Sequence, residues 1–331
     1  MDRFSLRPRS RLDTAYDPER DGRIEAEGDP DVISAVIQQA QNVREGREDP
    51  NIRVALLIDP GGNSGVYGGG EITAIHEAGL TNGFKVIAGN STGAHLGAWL
   101  LSGDPRLGTT IYSEECTTSD FIRLKRIPDG YGMDVEFISQ LYRGEVGNKR
   151  LNVENIKHSR PDFLIIAVKY ETGKSALLNG KEGDIIRKIQ ASSAVPSLYT
   201  IPVEIDGMRY SDGSPAARDA LQDILKRYDP THILILTNSP KNTPQDRLTR
   251  LGDTLLSRRL PGPLRSAWLS RDKNLKERDE LLEKCGKPHL FLRADKVVGT
   301  LTIDSGKISA AAARAEEHMR QQIDSARKLR A

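Results

Sequence analysis

Three short stretches hold the residue types that reaction chemistry needs. Gly89-Asn90-Ser91-Thr92-Gly93 is a G-x-S-x-G set between an apolar run at residues 85–88 and a small-residue stretch at 94–101. A serine on a tight strand-to-helix turn has its hydroxyl pushed clear of the sheet, and glycines flank it because neither side has room for a Cβ. The helix N-terminus behind such a turn favours developing negative charge. Upstream, Asp59-Pro60-Gly61-Gly62-Asn63-Ser64-Gly65 follows an apolar run at residues 53–58. Consecutive glycines there let backbone N–H groups converge on an anion, either a phosphate or an oxyanion. Neither the Gly-Lys-Ser/Thr that closes a P-loop nor a G-x-G-x-x-G followed by its acidic residue is present. Gly68-Gly69-Gly70 reads as close helix packing or a flexible helix start. The third stretch, Tyr210-Ser211-Asp212-Gly213, comes after Ala191-Ser192-Ser193-Ala194-Val195-Pro196. An Asp-Gly alone is most often a plain turn, and only the combination with the other two stretches raises it above that.

Something must hold these residues in place, and the hydropathy pattern predicts what. Buried strands are expected at residues 53–58, 85–88, 163–168 with a hairpin partner at 176–178, 232–236 and 289–293. Helices are expected at 31–44, 71–78, 94–101, 184–191, 216–228 and 309–329, with a charged helical stretch at 246–284. Strands alternating with helices argue an α/β fold, a three-layer α/β/α sandwich on a mostly parallel central sheet, with a helical C-terminal region.

Composition narrows the class. With 331 residues, 37% of them hydrophobic and 28% charged, and no apolar run long enough to span a bilayer, the chain reads as soluble and globular. Lys and Arg number 48 against 46 Asp and Glu, interspersed, so the +2 net charge leaves no footprint for nucleic acid. Cys116 and Cys285 are too few and too far apart for a disulfide framework, and the first residues lack the apolar segment of a secretory signal, so a cytoplasmic location is expected. Cys116, in Glu114-Glu115-Cys116-Thr117-Thr118, has no basic neighbour and reads as a free thiol. There is no His-Glu-x-x-His and no cysteine pair at ligand spacing, so no metal or cofactor is expected.

A Ser, Asp, His triad of the α/β-hydrolase order would draw on His232, His289 or His318. His232 opens an apolar strand, His289 follows Lys287-Pro288 and His318 lies on a charged helix, so all three read as structural or solvated. His95 reads as packing or pocket lining. The basic segment 247–271, with Leu255, Leu256, Leu260, Leu264, Trp268 and Leu269 interleaved, reads as a helical subdomain capping the site. Contact with an anionic lipid surface is its other reading. Tyr131, Phe137 and Tyr142 are candidates for a lid or an acyl pocket.

In order and spacing, the three stretches and the Ala191 to Pro196 segment resemble the patatin-like phospholipases, over about residues 52–240. The resemblance implies acyl-ester hydrolysis by a Ser-Asp dyad, with Ser91 as nucleophile and Asp212 as its base. Gly61, Gly62 and Asn63 would form the oxyanion loop, and Gly89 and Gly93 the nucleophile elbow. It further implies a lipid or other acyl-ester substrate, with peripheral membrane contact. The corresponding division is an N-terminal extension with one short helix (1–50, its first 30 residues mobile or surface-wrapped), a patatin-like catalytic domain (51–245) and a mainly helical region packed on the core (246–331).

Two departures matter. Pro60 replaces the first glycine of the family's loop and has no N–H to donate, and Ser64 replaces its basic residue; a milder one puts Ser214 where Gly or Ala is usual. Losing an oxyanion donor costs on the order of 100-fold in rate. Activity is therefore expected to be lower than in typical members or directed at a different ester. The alternative is a weak or inactive patatin fold serving lipid binding or interaction. A free aspartate titrates near about 3.9, so the dyad must rely on a desolvated site.

Overall fold

Five apolar strands, buried on both faces, run parallel through the centre of the molecule. The computed structural model describes residues 24–240, 247–294 and 297–330. Its strands are β1 (Glu25–Gly28), β2 (Val54–Ile58), β3 (Phe84–Gly89), β4 (Asp162–Lys169), β5 (Ser175–Asn179), β6 (Val203–Ile205), β7 (Met208–Asp212), β8 (His232–Thr237) and β9 (His289–Arg293). They form one sheet in the order β1-β9-β8-β2-β3-β4-β7-β6, with β5 also paired to β4. The parallel set is β9-β8-β2-β3-β4, and β1, β5, β6 and β7 add antiparallel edges.

The helices are α1 (Asp31–Arg44), α2 (Val66–Glu77), α3 (Thr92–Ser102), α4 (Pro105–Thr110), α5 (Val135–Arg143), α6 (Val153–His158), α7 (Ile185–Ser192), α8 (Ala217–Tyr228), α9 (Arg247–Leu256), α10 (Gly262–Leu269), α11 (Arg271–Lys284) and α12 (Ser305–Arg330). Strand alternation divides the interior in two. On β2, Leu56 and Ile58 join a core with α1, α2, α3 and α12, whereas Ala55 and Leu57 join another with α8, Leu264 and Leu282. That is the expected three-layer sandwich.

Three differences from the sequence expectations have physical causes. Helix α2 begins at Val66, ahead of the expected Glu71, and takes in all three consecutive glycines. A Cβ on Gly70 would lie 2.2 Å from the Ala312 carbonyl of α12, so close approach to the alanine face of α12 outweighs the low helix propensity of glycine. Second, the end of the expected N-terminal extension is ordered: Glu25–Gly28 pairs with β9, and Glu27 binds Arg293 at 2.7 Å. Residues 1–23 of that extension lie outside the described residues. Third, the short helices α4 and α6 and the strands β6 and β7 carry too little periodic sequence to be anticipated, whereas α5 does carry a helical stripe, Val135, Ile138, Leu141 and Tyr142, but over only nine residues.

Helix α2 also buries an unneeded carboxyl. Glu71 is 1% exposed, its Oε2 has no hydrogen-bond partner, and burial holds its pKa well above the usual carboxylate range. Because the folded value exceeds the unfolded one, stability falls as pH rises through the window between them, by up to about 1.4 kcal/mol per pH unit. Glu71→Gln is therefore expected to raise the melting temperature at pH 8 and to lose that advantage near pH 4, as read by thermal melts across the range.

Candidate active site

The register of β4 brings Ser91 and Asp212 together. One edge of β4 is taken by β5, paired along residues 164–168. On the other edge β3 pairs as far as Gly89 opposite Ile165, and β7 then continues, with Asp212 opposite Ala167. The end of β3 and Asp212 are thus about 7 Å apart along β4, and the turn after Gly89 carries Ser91 across that gap.

That turn leaves no spare room. Ser91 has φ 51° and ψ −126°, a left-handed conformation for a residue with a Cβ, which costs on the order of 1–3 kcal/mol. A Cβ on Gly89 would lie 2.3 Å from the Gly93 carbonyl group, and one on Gly93 would lie 2.0 Å from Ile58 O. The strained backbone is gripped from α7: Ser91 N–H donates to Ser192 O at 3.1 Å and to Ser192 Oγ at 2.9 Å. Ser192 Oγ itself donates to Ile166 O of β4 at 2.6 Å. Ser192 O also accepts from Gly213 N–H at 3.3 Å, and Ala194 O accepts from Asp212 N–H at 3.1 Å. One short segment thereby ties the serine turn to the aspartate turn.

Asp212 is fully buried. Its Oδ1 accepts from Ser214 N–H at 2.8 Å, while Oδ2 has no partner of normal hydrogen-bond geometry. Burial raises its pKa, opposed by Ser214, the Ser91 hydroxyl and the Arg271 charge. The result is a carboxylate with one oxygen uncommitted beside a serine.

Ser91 opens on a cavity of about 90 Å³ that it shares with Gly62, Asn63, Thr92 and His95. Ile111, Phe121, Met133, Ile138, Tyr142 and Leu198 supply apolar wall. Of the three aromatic candidates only Tyr142 is there. Tyr131 packs edge-on against Tyr199 outside the cavity, and Phe137 lies with it along a separate surface groove.

The glycine loop is divided in its roles. Gly62, at φ 55°, lines the cavity, whereas Gly61 does not: its Cα faces Asn238. Among the described residues the N–H groups of Gly61, Gly62 and Thr92 donate to no protein acceptor. Asn63, expected as a third donor, is already committed. Its N–H donates to Thr300 O at 3.0 Å and its Nδ2 to Thr302 O at 2.7 Å. A strap of residues 297–303, between β9 and α12, thus lies across the glycine loop, and Thr300 joins the cavity wall. Thr92, one residue past the serine, is a donor that the sequence reading passed over, although its place in the elbow motif marks it.

No histidine joins Ser91 and Asp212 among the described residues. Ser193 Oγ donates to Ile189 O at 3.0 Å, so it must accept from His95 Nε2–H at 2.9 Å, which leaves Nδ1 to accept from Tyr142 O–H at 2.7 Å. His95 is thereby locked neutral, its pKa pushed down by burial to about 4. His232 and His289 sit at the N-terminal starts of β8 and β9, the opposite end of the strands from Ser91, and His318 is on α12. Cys116 lines the cavity as a buried free thiol with its pKa pushed up by burial. No group of three or more His, Cys, Asp or Glu that could hold a metal ion occurs among the described residues. In the basic segment Leu260, Leu264 and Trp268 are buried, whereas Leu251, Leu255 and Leu269 are exposed.

A family model described as patatin-like phospholipase matches residues 56–219. The uncharacterized protein YjjU of Escherichia coli (strain K12) is 22% identical over 210 residues, covering 62% of this chain and 58% of its own length. The chain therefore spans less than two thirds of that curated relative. Similar solved structures include VipD from Legionella pneumophila (TM-score 0.42, 11% identity, 82% of this chain and 67% of that one). The type III effector protein ExoU is another (TM-score 0.37, 14% identity, 83% and 53%). A third is human GIVD cytosolic phospholipase A2 in complex with methyl gamma-linolenyl fluorophosphonate (TM-score 0.41, 12% identity, 90% and 63%).

Asn63→Asp keeps the size of the side chain but sets an acceptor against the Thr302 and Cys116 carbonyls. It is expected to cost about 1–3 kcal/mol in urea denaturation. A variant as stable as the wild type would mean that the strap is held elsewhere.

Proposed function

We propose, from the match of residues 56–219 to the patatin-like phospholipase family, that the protein hydrolyses lipid acyl esters through Ser91 and Asp212. The observation that carries the reading is the buried, uncommitted Oδ2 of Asp212 beside a serine held in a strained turn. Ser91 Oγ attacks the ester carbonyl carbon while Asp212 takes its proton. Gly62 and Thr92 both line the cavity, and their N–H groups would stabilise the oxyanion, with the positive end of α3 behind them. As the tetrahedral intermediate collapses, the alcohol leaves with the proton from Asp212. Water then attacks the acyl-serine, Asp212 accepts its proton, Ser91 is reprotonated and the carboxylic acid departs.

An aspartate is a weak base in water. Here burial disfavours its ionised form and so strengthens it as a proton acceptor. The apolar wall suits the acyl chain. Exposed Leu251, Leu255 and Leu269, in a region that also exposes Arg258 and Arg259, support contact with an anionic lipid surface. No helix among the described residues is long and apolar enough to cross a membrane.

Ser91→Ala and Asp212→Asn are each expected to lower hydrolysis of p-nitrophenyl esters by about 1,000-fold or more, and Ser91→Ala to abolish fluorophosphonate labelling. Asp212→Asn should remain at least as stable as the wild type at neutral pH, because it removes a carboxyl that burial disfavours. A wild type that neither turns over nor labels would point instead to a lipid-binding or interaction module.

The pH–rate profile is a separate check. Asp212 must be ionised to act, and its pKa is raised, so kcat/KM should fall on a single acid limb above the ordinary aspartate range near about 4. A limb that persists unchanged in Asp212→Asn would assign the ionisation to another group.

A further inference from the structure

Helix α11 runs behind both catalytic loops and meets them with one face. Arg271, Asn274 and Arg278 fall at i, i+3 and i+7, a single stripe of an α-helix. Arg278 is 4% exposed, and both ends of its guanidinium grip the Asp59 carboxylate, the second at 3.0 Å. Asp59 stands immediately before Pro60-Gly61-Gly62, and its backbone is held as well. Its N–H donates to Leu236 O at 3.0 Å and its carbonyl accepts from Asn238 Nδ2 at 2.6 Å. One turn back along α11, Asn274 Nδ2 donates to Pro215 O at 2.8 Å, in the turn that follows Asp212. Arg271 stacks over Trp268 at 4.0 Å and binds Asp253, and its charge is felt at Asp212.

Two adjacent glycines have no side chains by which the fold can hold them. Their position is set by their neighbours, Asn63 under the strap on one side and Asp59 on the other. A planar guanidinium holding a carboxylate by two bonds fixes its orientation as well as its distance. Pro60, with its restricted φ, passes that orientation to Gly61.

We propose that this face of α11 is the positioning element of the active site: Arg278 sets the oxyanion loop through Asp59, and Asn274 sets the turn that carries Asp212. The proposal rests on the Ser91 and Asp212 reading above. Neither residue lines the cavity shared by Ser91, so both act through the loops they hold.

Removing Arg278 alone would strand the buried Asp59 charge, so the test combines Asp59→Asn with Arg278→Met, which leaves neutral groups at both positions; Asp279, the other partner of Arg278, keeps its pairing with Arg293. Asn274→Ala is made separately. Lys284→Ala, on the same helix with a side chain 74% exposed, is the control. Each full-length protein is followed by steady-state ester hydrolysis, by the rate of fluorophosphonate labelling, and by hydrogen exchange of peptides spanning residues 59–65 and 212–217. The pair replacement is expected to lower kcat roughly 10- to 100-fold with KM changed less than about threefold. It should speed exchange in 59–65 about tenfold or more and leave 212–217 as in the wild type. Asn274→Ala should loosen 212–217 and spare 59–65.

A pair replacement that melts like the wild type, keeps its kcat and keeps its exchange in 59–65 overturns the proposal. If the wild type itself neither turns over nor labels, the Ser91 and Asp212 reading fails on its own, and the exchange of the two loops still decides whether α11 holds them.

Discussion

The backbone at Ser91 is the constraint to which the rest of the site conforms. A residue with a Cβ sits at φ 51°, and the strain is tolerated because every neighbour over-determines the turn. Gly89 and Gly93 are in contact with each other, Gly93 lies against β2, and Ser192 holds the amide of Ser91 with two oxygens. Ser192 is bound in turn to β4 and to Gly213. The serine turn, the central sheet and the aspartate turn therefore share one set of hydrogen bonds, and displacing any of them would strain the others.

A second close approach decides what lies over the glycine loop. Gly70 of α2 lets α12 come within backbone distance, and the buried face of α12, Ala311, Ala315 and Met319, is mostly small at that crossing. Because α12 is pinned there, the residues that lead into it must pass over residues 61–63, where Thr300 and Thr302 take both donor groups of Asn63. The C-terminal part of the chain thus meets the loop from the front through this strap and from behind through α11. Its helices α10 and α11 pack on the second core and α12 on the first, and β9 is itself a strand of the central sheet.

The burial of Asp212 and of Glu71 shows two uses of the same physics. Both carboxyls lie in low-dielectric surroundings that disfavour charge, and both have an oxygen without a partner. Around Asp212 a serine, the Ser214 turn and an arginine oppose that effect, so ionisation is contested. Around Glu71 nothing opposes it. Only the first lies where a proton has somewhere to go.

Much of this was legible in the residues alone. Apolar runs at 53–58, 85–88, 163–168, 232–236 and 289–293 marked the central strands because strands buried on both faces must be apolar throughout. Gly89, Ser91 and Gly93 marked the turn because its steric demands are local, and a local demand leaves a local motif. Ser192 lay in the marked segment 191–196, but the roles of Thr300, Asn274 and Arg278 left no such mark. Each acts on residues far away in the chain through a backbone carbonyl or a buried ion pair, interactions that many sequences satisfy equally well. The start of α2 is hidden for a related reason, since its glycines serve partners distant in the chain: Gly68 lies against Leu96 and Asn238, Gly69 against Thr109 and Gly70 against α12. Sequence determined where the strands run and which serine stands at a strand end. Tertiary structure alone decided which groups face that serine, because strand register and helix docking are set by packing across the whole molecule and not by any one segment of it.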